Sequence, residues 1–121
     1  METGVVINHD GEPIFWHVPQ DRTIGSLPDS PTLWEVFWNN RDKIAGFAHS
    51  HPGHGIPGPS YEDVTTFAAI EAAIGKRFDW WITSKDNLIV ARWKGEHRLT
   101  YETSILESNP SWLNKLRELS Q

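Results

Sequence analysis

The stretch from His49 to Asp63 constrains the fold of this 121-residue chain more than any other segment. It reads His-Ser-His-Pro, then seven residues rich in glycine and proline, then Ser-Tyr-Glu-Asp. Residues 43–51 include an apolar run of strand length, and the glycines and prolines that follow end the strand and let the chain turn back. The segment therefore predicts a strand, a loop and a helix in immediate succession.

The two histidines of this segment are expected to share one face of the predicted strand. Residues i and i+2 of a strand point to the same side, so His49 and His51 lie on the same face as Phe47. Their Cα atoms would be roughly 6.5 Å apart, because a strand rises about 3.3 Å per residue. Both rings could therefore reach one ion lying between them.

The helix is predicted to begin after Ser60, a good N-cap residue. Phe67, Ile70 and Ile74 follow at helical spacing, and Asp63 falls on the same stripe as these apolar residues. An ionised carboxylate on the buried face of a helix is costly unless it is paired or bound to a metal. Two imidazoles and one carboxylate are three of the four groups that bind a catalytic zinc, and water is the fourth.

Each half of this pattern also has a simpler interpretation. Ser60 and Asp63 match the capping box that begins many helices, and most such matches mean only a helix start. The pair His49 and His51, taken alone, is typical of half-exposed strand histidines. The combination with Pro52 and a fixed gap favours a metal site over either interpretation.

The run from His49 to Asp63 resembles the JAMM motif of the JAB/MPN metalloproteases, H-[ST]-H-P-x(7)-S-x-x-D, and matches every position. The resemblance implies that His49, His51 and Asp63 bind Zn²⁺ as the cofactor. It also implies that Ser60 stabilises the transition state. An upstream glutamate of the family activates the attacking water.

Glu2 is the best match to that glutamate, since family members often read E-[TS]-x-G and this chain reads Glu2-Thr3-Gly4, with the glycine one position early. The alternative is a solvated, disordered terminal residue. Glu12 is a second candidate. Family domains usually have a helix before the glutamate strand, and Glu2 leaves no room for one, so we expect either a reduced domain or a gene model that starts late.

The resemblance implies a zinc-dependent metallopeptidase or isopeptidase, in which the glutamate acts as general base and zinc and Ser60 stabilise the oxyanion. The implied substrate is a protein or peptide, for example the C-terminal tail of a ubiquitin-like or sulfur-carrier protein. We expect it to lie extended along a sheet edge beside the His49 strand. The alternatives are a non-catalytic MPN-type scaffold or protein-binding module, a zinc amidohydrolase acting on a small substrate, and a phage tail assembly component.

Composition limits the classes of partner. The length fits one domain over residues 1–121. The chain has no cysteine, so a thiolate zinc site and a cysteine nucleophile are excluded. The net charge of −5 and the lack of a basic run argue against nucleic acid and anionic membranes. No signal peptide or membrane-spanning stretch is apparent, and we expect a cytoplasmic protein. The sequence does not determine the oligomeric state or the substrate-binding residues.

The order of predicted elements favours an α/β fold with a mixed sheet flanked by helices, in agreement with the JAB/MPN-like (cytidine-deaminase-like) fold that the resemblance implies. Strands are predicted over residues 3–8, 13–18, 43–51, 79–84, 88–93 and 97–103, and helices over 30–40, 60–75 and from 109 to the C-terminus. Trp34, Trp38, Trp80 and Trp93 are expected to fill the core. Trp16 or Trp112 is the candidate for a substrate groove.

Overall fold

The computed structural model describes residues 1–121 and contains six strands and three helices. Their order along the chain is β1 (Gly4–Asn8), β2 (Pro13–His17), α1 (Pro31–Asn39), β3 (Ile44–Ser50), α2 (Tyr61–Ile74), β4 (Asp79–Thr83), β5 (Leu88–Trp93), β6 (Tyr101–Leu106) and α3 (Leu113–Leu119). The prediction of an α/β fold with a mixed sheet flanked by helices is confirmed. No helix is long and apolar enough to cross a membrane.

All six strands form one sheet in the order β2-β1-β3-β4-β5-β6. The pair β3–β4 is parallel, and every other neighbouring pair is antiparallel. Helix α2 lies on the connection between the two parallel strands, as a parallel pair requires a crossover. Strand β3 is therefore an internal strand, with β1 on one side and β4 on the other.

Each face of the sheet has its own hydrophobic cluster. The cluster under α1 and α2 has a centre formed by Phe37, Phe67 and Trp80, with Phe67 and Trp80 stacked at 4.4 Å between ring centroids. The cluster under α3 includes Trp112 and Leu116. The sheet is thus the middle layer of three, because residues along its central strands are apolar on both faces.

Two glycines permit close approach in the middle of the sheet. A Cβ at Gly46 would overlap the backbone carbonyl of Asp79, the paired residue on β4. A Cβ at Gly4 would overlap the ring of Phe47. Because Gly4 has no side chain, the Phe47 ring can lie over β1. Gly4 pairs with His49 across the β1–β3 ladder, and the Phe47 ring lies beside that histidine.

The helix starts follow the predicted capping chemistry. The Ser30 hydroxyl accepts the N–H of Leu33 at the start of α1, where Pro31 occupies the first turn. Ser60 and Asp63 form a complete capping box at the start of α2. Helix α2 ends at Ile74 and is capped by Gly75, whose φ of 80° is the left-handed conformation that glycine adopts readily.

Two expectations about the C-terminal segments are wrong. The last strand is β6 at Tyr101–Leu106 rather than residues 97–103, because residues before it form a turn in which Lys94 N–H donates to the Thr100 carbonyl. The last helix begins only at Leu113, after an irregular turn.

The tryptophans also differ from expectation. Trp80 is buried as expected, but Trp38 is 51% exposed because it lies on the outer side of α1, under the guanidinium of Arg41. Trp34 and Trp93 are only partly buried. Trp112 packs against Trp81 in the cluster under α3, so it does not line a groove.

Candidate metal centre

Three predicted ligands meet where β3 ends and α2 begins. The Nε2 atoms of His49 and His51 are 3.0 Å apart. The Asp63 carboxylate reaches both rings, with Oδ2 at 3.0 Å from His51 Nε2 and Oδ1 at 3.4 Å from His49 Nε2. The strand spacing and the helix stripe therefore bring these side chains together as predicted.

These distances fit the donor set of a zinc ion. Zinc binds imidazole nitrogen and carboxylate oxygen at about 2.0 Å, so neighbouring donors of a tetrahedral site lie about 3.3 Å apart. The two Nε2 atoms are 3.0 Å apart, and each lies 3.0 or 3.4 Å from one of the two carboxylate oxygens of Asp63, so the spacing is close to that value. The same three side chains line a cavity. The residues present thus fit a zinc ion with one open position.

Glu2 lies beside this cluster. Its carboxylate and the two histidine rings have donor atoms within 4.8 Å of one another. Glu2 is only 8% exposed, so the interpretation of a solvated, disordered terminal residue is wrong. Burial raises the pKa of the Glu2 carboxyl, and the nearby histidines offset part of that rise.

The backbone around Glu2 is fixed by several long-range contacts. Glu2 N–H donates to the Thr23 carbonyl at 2.9 Å, and the Arg22 guanidinium donates to the Glu2 carbonyl at 3.3 Å. The next residue, Thr3, donates its N–H to Ser50 Oγ at 2.9 Å. Thr3 in turn accepts the N–H of Ser50 through its carbonyl at 3.0 Å. Glu2 is therefore held at the site by the β1–β3 ladder and by residues 22–23.

The hydrogen bonds of the cluster favour the ionised form of the Asp63 carboxyl group. Burial alone would raise the pKa of Asp63, but hydrogen bonds from His49, His51 and the Ser60 N–H hold that pKa well below its usual range. The hydrogen bond with Asp63 raises the pKa of His51, against the opposing effect of burial. Asp63 therefore favours a positive charge on His51, and a bound cation could take the place of that proton.

Two groups of Ser60, its hydroxyl and its backbone N–H, form hydrogen bonds with Asp63. Its Oγ accepts the N–H of Asp63 at 3.0 Å, and its own N–H donates to Asp63 Oδ2 at 2.9 Å. The capping box thus fixes the rotamer of Asp63 as well as the start of α2. Because the hydroxyl oxygen serves as the acceptor, its proton is still available to an oxygen in the cavity. The helix-cap and metal-site interpretations of this motif are therefore compatible.

Sequence patterns miss two residues near the site. Ser50, between the two histidines, points to the opposite face, where its Oγ bonds to Thr3 N–H and to Ser120 Oγ. His17, which shows no ligand spacing in the sequence, ends β2, is 3% exposed and lines the same cavity as the histidines. Its Nε2 lies 2.6 Å from the Pro28 carbonyl. The period-2 alternation predicts the direction of Ser50, but no local signal indicates its partners.

Two other expectations do not fit the arrangement. Glu12 is exposed in the turn after β1, at the end of the strand away from Glu2. A substrate cannot add a strand beside β3, because β3 is paired on both sides and the free edges are β2 and β6. The expected sheet-edge position of the substrate is therefore wrong.

Comparison with known proteins gives no family assignment, since no family model and no curated protein matches this chain.

Proposed function

We propose that this protein is a zinc-dependent metallopeptidase or isopeptidase of the JAMM type, with a JAB/MPN-like fold. The observation that carries the proposal is the cluster of His49, His51 and Asp63, whose nitrogen and oxygen atoms lie 3.0 to 3.4 Å apart beside a buried glutamate. Ligands from a strand end and a helix start would hold the ion, and one position would stay open. An open position distinguishes catalytic from structural zinc sites.

A zinc ion bound there would polarise the scissile carbonyl and lower the pKa of a bound water to about 7. Glu2 would accept the proton of the attacking water and deliver it to the leaving amine, because its buried carboxylate lies beside the two histidines. The Ser60 hydroxyl would donate to the developing oxyanion. A single donor of this kind contributes about 3 kcal/mol to transition-state stabilisation.

The reacting bond would enter a cavity of about 440 Å³ that these side chains line. Residues 25–29 form one side of the cavity, and the first turn of α2 forms another. We propose a peptide or isopeptide bond in an extended protein tail as the substrate, with the C-terminal tail of a ubiquitin-like or sulfur-carrier protein as the first to test.

The first test is the zinc content of purified protein, compared with an Asp63→Ala variant. We expect about one zinc per chain in the unaltered protein and loss of zinc in the variant, because two imidazoles alone leave the site one ligand short. An Asp79→Ala variant is the matched control, since Asp79 pairs with Arg92 away from the site. Protein that takes up no zinc would overturn the proposal.

Substrate class is tested next with the zinc-loaded protein. A panel of peptides, ubiquitin-like fusions and small amides would be compared, with Glu2→Gln as the inactive reference. Cleavage of the fusions or peptides supports the proposal. Cleavage of small amides alone would replace it with an amidohydrolase.

A protein-binding module without catalysis is the second candidate, and the exposure of Trp38 on α1 favours it. Large exposed aromatic residues are enriched at binding hot spots. A partner on this face would cover Trp38 and Arg41 together. Size-exclusion chromatography of the protein and a Trp38→Ala variant tests for self-association through this face. A monomer in both samples would argue against pairing of the chain with itself.

A further inference from the structure

The cavity at the metal centre has two contrasting walls. One wall carries the polar groups that would act on the scissile bond. The other wall is apolar and includes Leu27, Leu33, Phe47 and Phe67. Leu33, Phe47 and Phe67 are buried in the cluster under α1 and α2, with exposed fractions of 7%, 8% and 3%, so their small exposed areas belong to the cavity lining.

Leu27 closes this wall from the loop side. It is partly buried, packs against the same hydrophobic cluster and precedes Pro28, whose carbonyl contacts His17 Nε2. The contact with buried His17 fixes the loop against β2. The apolar wall is therefore built from a strand, two helices and an anchored loop, and a pre-formed apolar recess is typical of a ligand site.

Apart from its histidines, the charged groups of the cavity are all acidic. Its lining contains the carboxylates of Glu2, Asp29, Glu62 and Asp63 and no lysine or arginine. A bound dication would be held by Asp63, and Asp29 and Glu62 would still carry negative charge at the lining. An anionic substrate side chain would be repelled there. Asp29 and Glu62 are exposed, so their attraction for a cationic side chain is screened by solvent, whereas an apolar side chain would displace water from the apolar wall.

We propose that this cavity is a specificity pocket for one uncharged, apolar side chain of a substrate residue that flanks the cleaved bond. This inference rests on the proposed function, and it adds the chemical class of the residue that the site selects. Leu27 and Leu33 are the specificity-determining residues. The volume of about 440 Å³ accommodates a branched aliphatic side chain together with the scissile group.

The test uses small hydroxamic acids, which bind zinc and carry one variable side chain. Acetohydroxamate, 4-methylpentanohydroxamate and the monohydroxamate of glutaric acid would be titrated calorimetrically into zinc-loaded protein. We expect 4-methylpentanohydroxamate to bind at least about 10-fold more tightly than either of the others.

Two variants separate pocket binding from general hydrophobicity. Leu27→Ala should reduce the ratio of the affinity for 4-methylpentanohydroxamate to the affinity for acetohydroxamate toward one. Ile105→Ala is the control, because Ile105 is 54% exposed on the edge strand β6 and should leave the ratio unchanged. Equal affinities for 4-methylpentanohydroxamate and acetohydroxamate in the unaltered protein would overturn the pocket. An equal fall of the affinity ratio in both variants would overturn it as well. Zinc-loaded protein that binds none of the three hydroxamates would instead overturn the proposed metal centre.

Discussion

Ser50 gives the sharpest test of how the fold holds the candidate base. Its hydroxyl is buried and accepts two hydrogen bonds, one from the Thr3 N–H at 2.9 Å and one from the Ser120 hydroxyl at 2.7 Å. In a Ser50→Ala variant, the Thr3 N–H would be buried without a partner. Such a donor costs about 1–3 kcal/mol, so the free energy of unfolding should fall by that amount.

The assay is urea unfolding of the zinc-free protein, followed by circular dichroism, so that no metal contributes to the measured free energy. The midpoint should fall while the slope is unchanged, because the native fold and its buried surface stay the same. A Ser104→Ala variant on the exposed strand β6 is the control. An unchanged midpoint in Ser50→Ala would refute the argument that this hydroxyl anchors β1.

The same variant has a second, functional readout if the proposed chemistry holds. Thr3 is the neighbour of Glu2, and a misplacement of a catalytic group by about 1 Å can cost about 100-fold in rate. We therefore expect a lower kcat with unchanged zinc content and little change in KM. Loss of zinc from Ser50→Ala would show instead that the variant disturbs His49 and His51 directly.

Three further predictions follow from other parts of the structure. Glu2→Gln should lower kcat by about 10²–10⁴-fold with zinc still bound, because only the proton acceptor is removed; the exposed Glu12→Gln is the control, and equal activities would remove Glu2 from the mechanism. Gly46→Ala should destabilise the protein by about 3 kcal/mol or more in urea unfolding, since its Cβ would overlap the β4 backbone. Gly25→Ala, which has open space around it, should be neutral, and equal stabilities would contradict the close approach of β3 and β4 at Gly46. Burial lowers the pKa of His17 in the folded protein. On acidification the imidazole is therefore protonated in the unfolded chain at a higher pH than in the folded protein, and stability is lost as pH falls below about 6.5. His17→Gln should show a weaker loss of melting temperature between pH 7.5 and 5.5, and an equal loss would contradict this assignment.

The fold could be predicted from the sequence where local signals specify it. Helix α2 is an example, because Ser60, the apolar stripe and Gly75 all lie within one segment. The bounds of β6 could not be predicted because it is an exposed edge strand, whose residues show no alternation of buried and exposed positions. The internal position of β3 could not be predicted either, since strand order depends on contacts between segments far apart in the chain.

The same distinction applies to the candidate site. His49, His51 and Asp63 could be identified because a strand period and a helix stripe place them within fifteen positions. The burial of Glu2 depends on Thr23, Arg22 and Ser50, which no local pattern connects to it. Residues that act through backbone hydrogen bonds to distant segments leave no signature in a single sequence.

The junction of β3 and α2 also has a kinetic consequence. His49 lies near the end of an internal strand, whose amide hydrogens should exchange with solvent only in large-scale openings. Asp63 lies in the first helical turn, where helices fray most readily. Release of a bound ion should therefore start with opening of the Ser60 cap rather than with separation of β3 from its neighbours. The off-rate of the metal would then report the lifetime of one helical turn, and Ser60→Ala should speed metal loss to a chelator more than it lowers global stability.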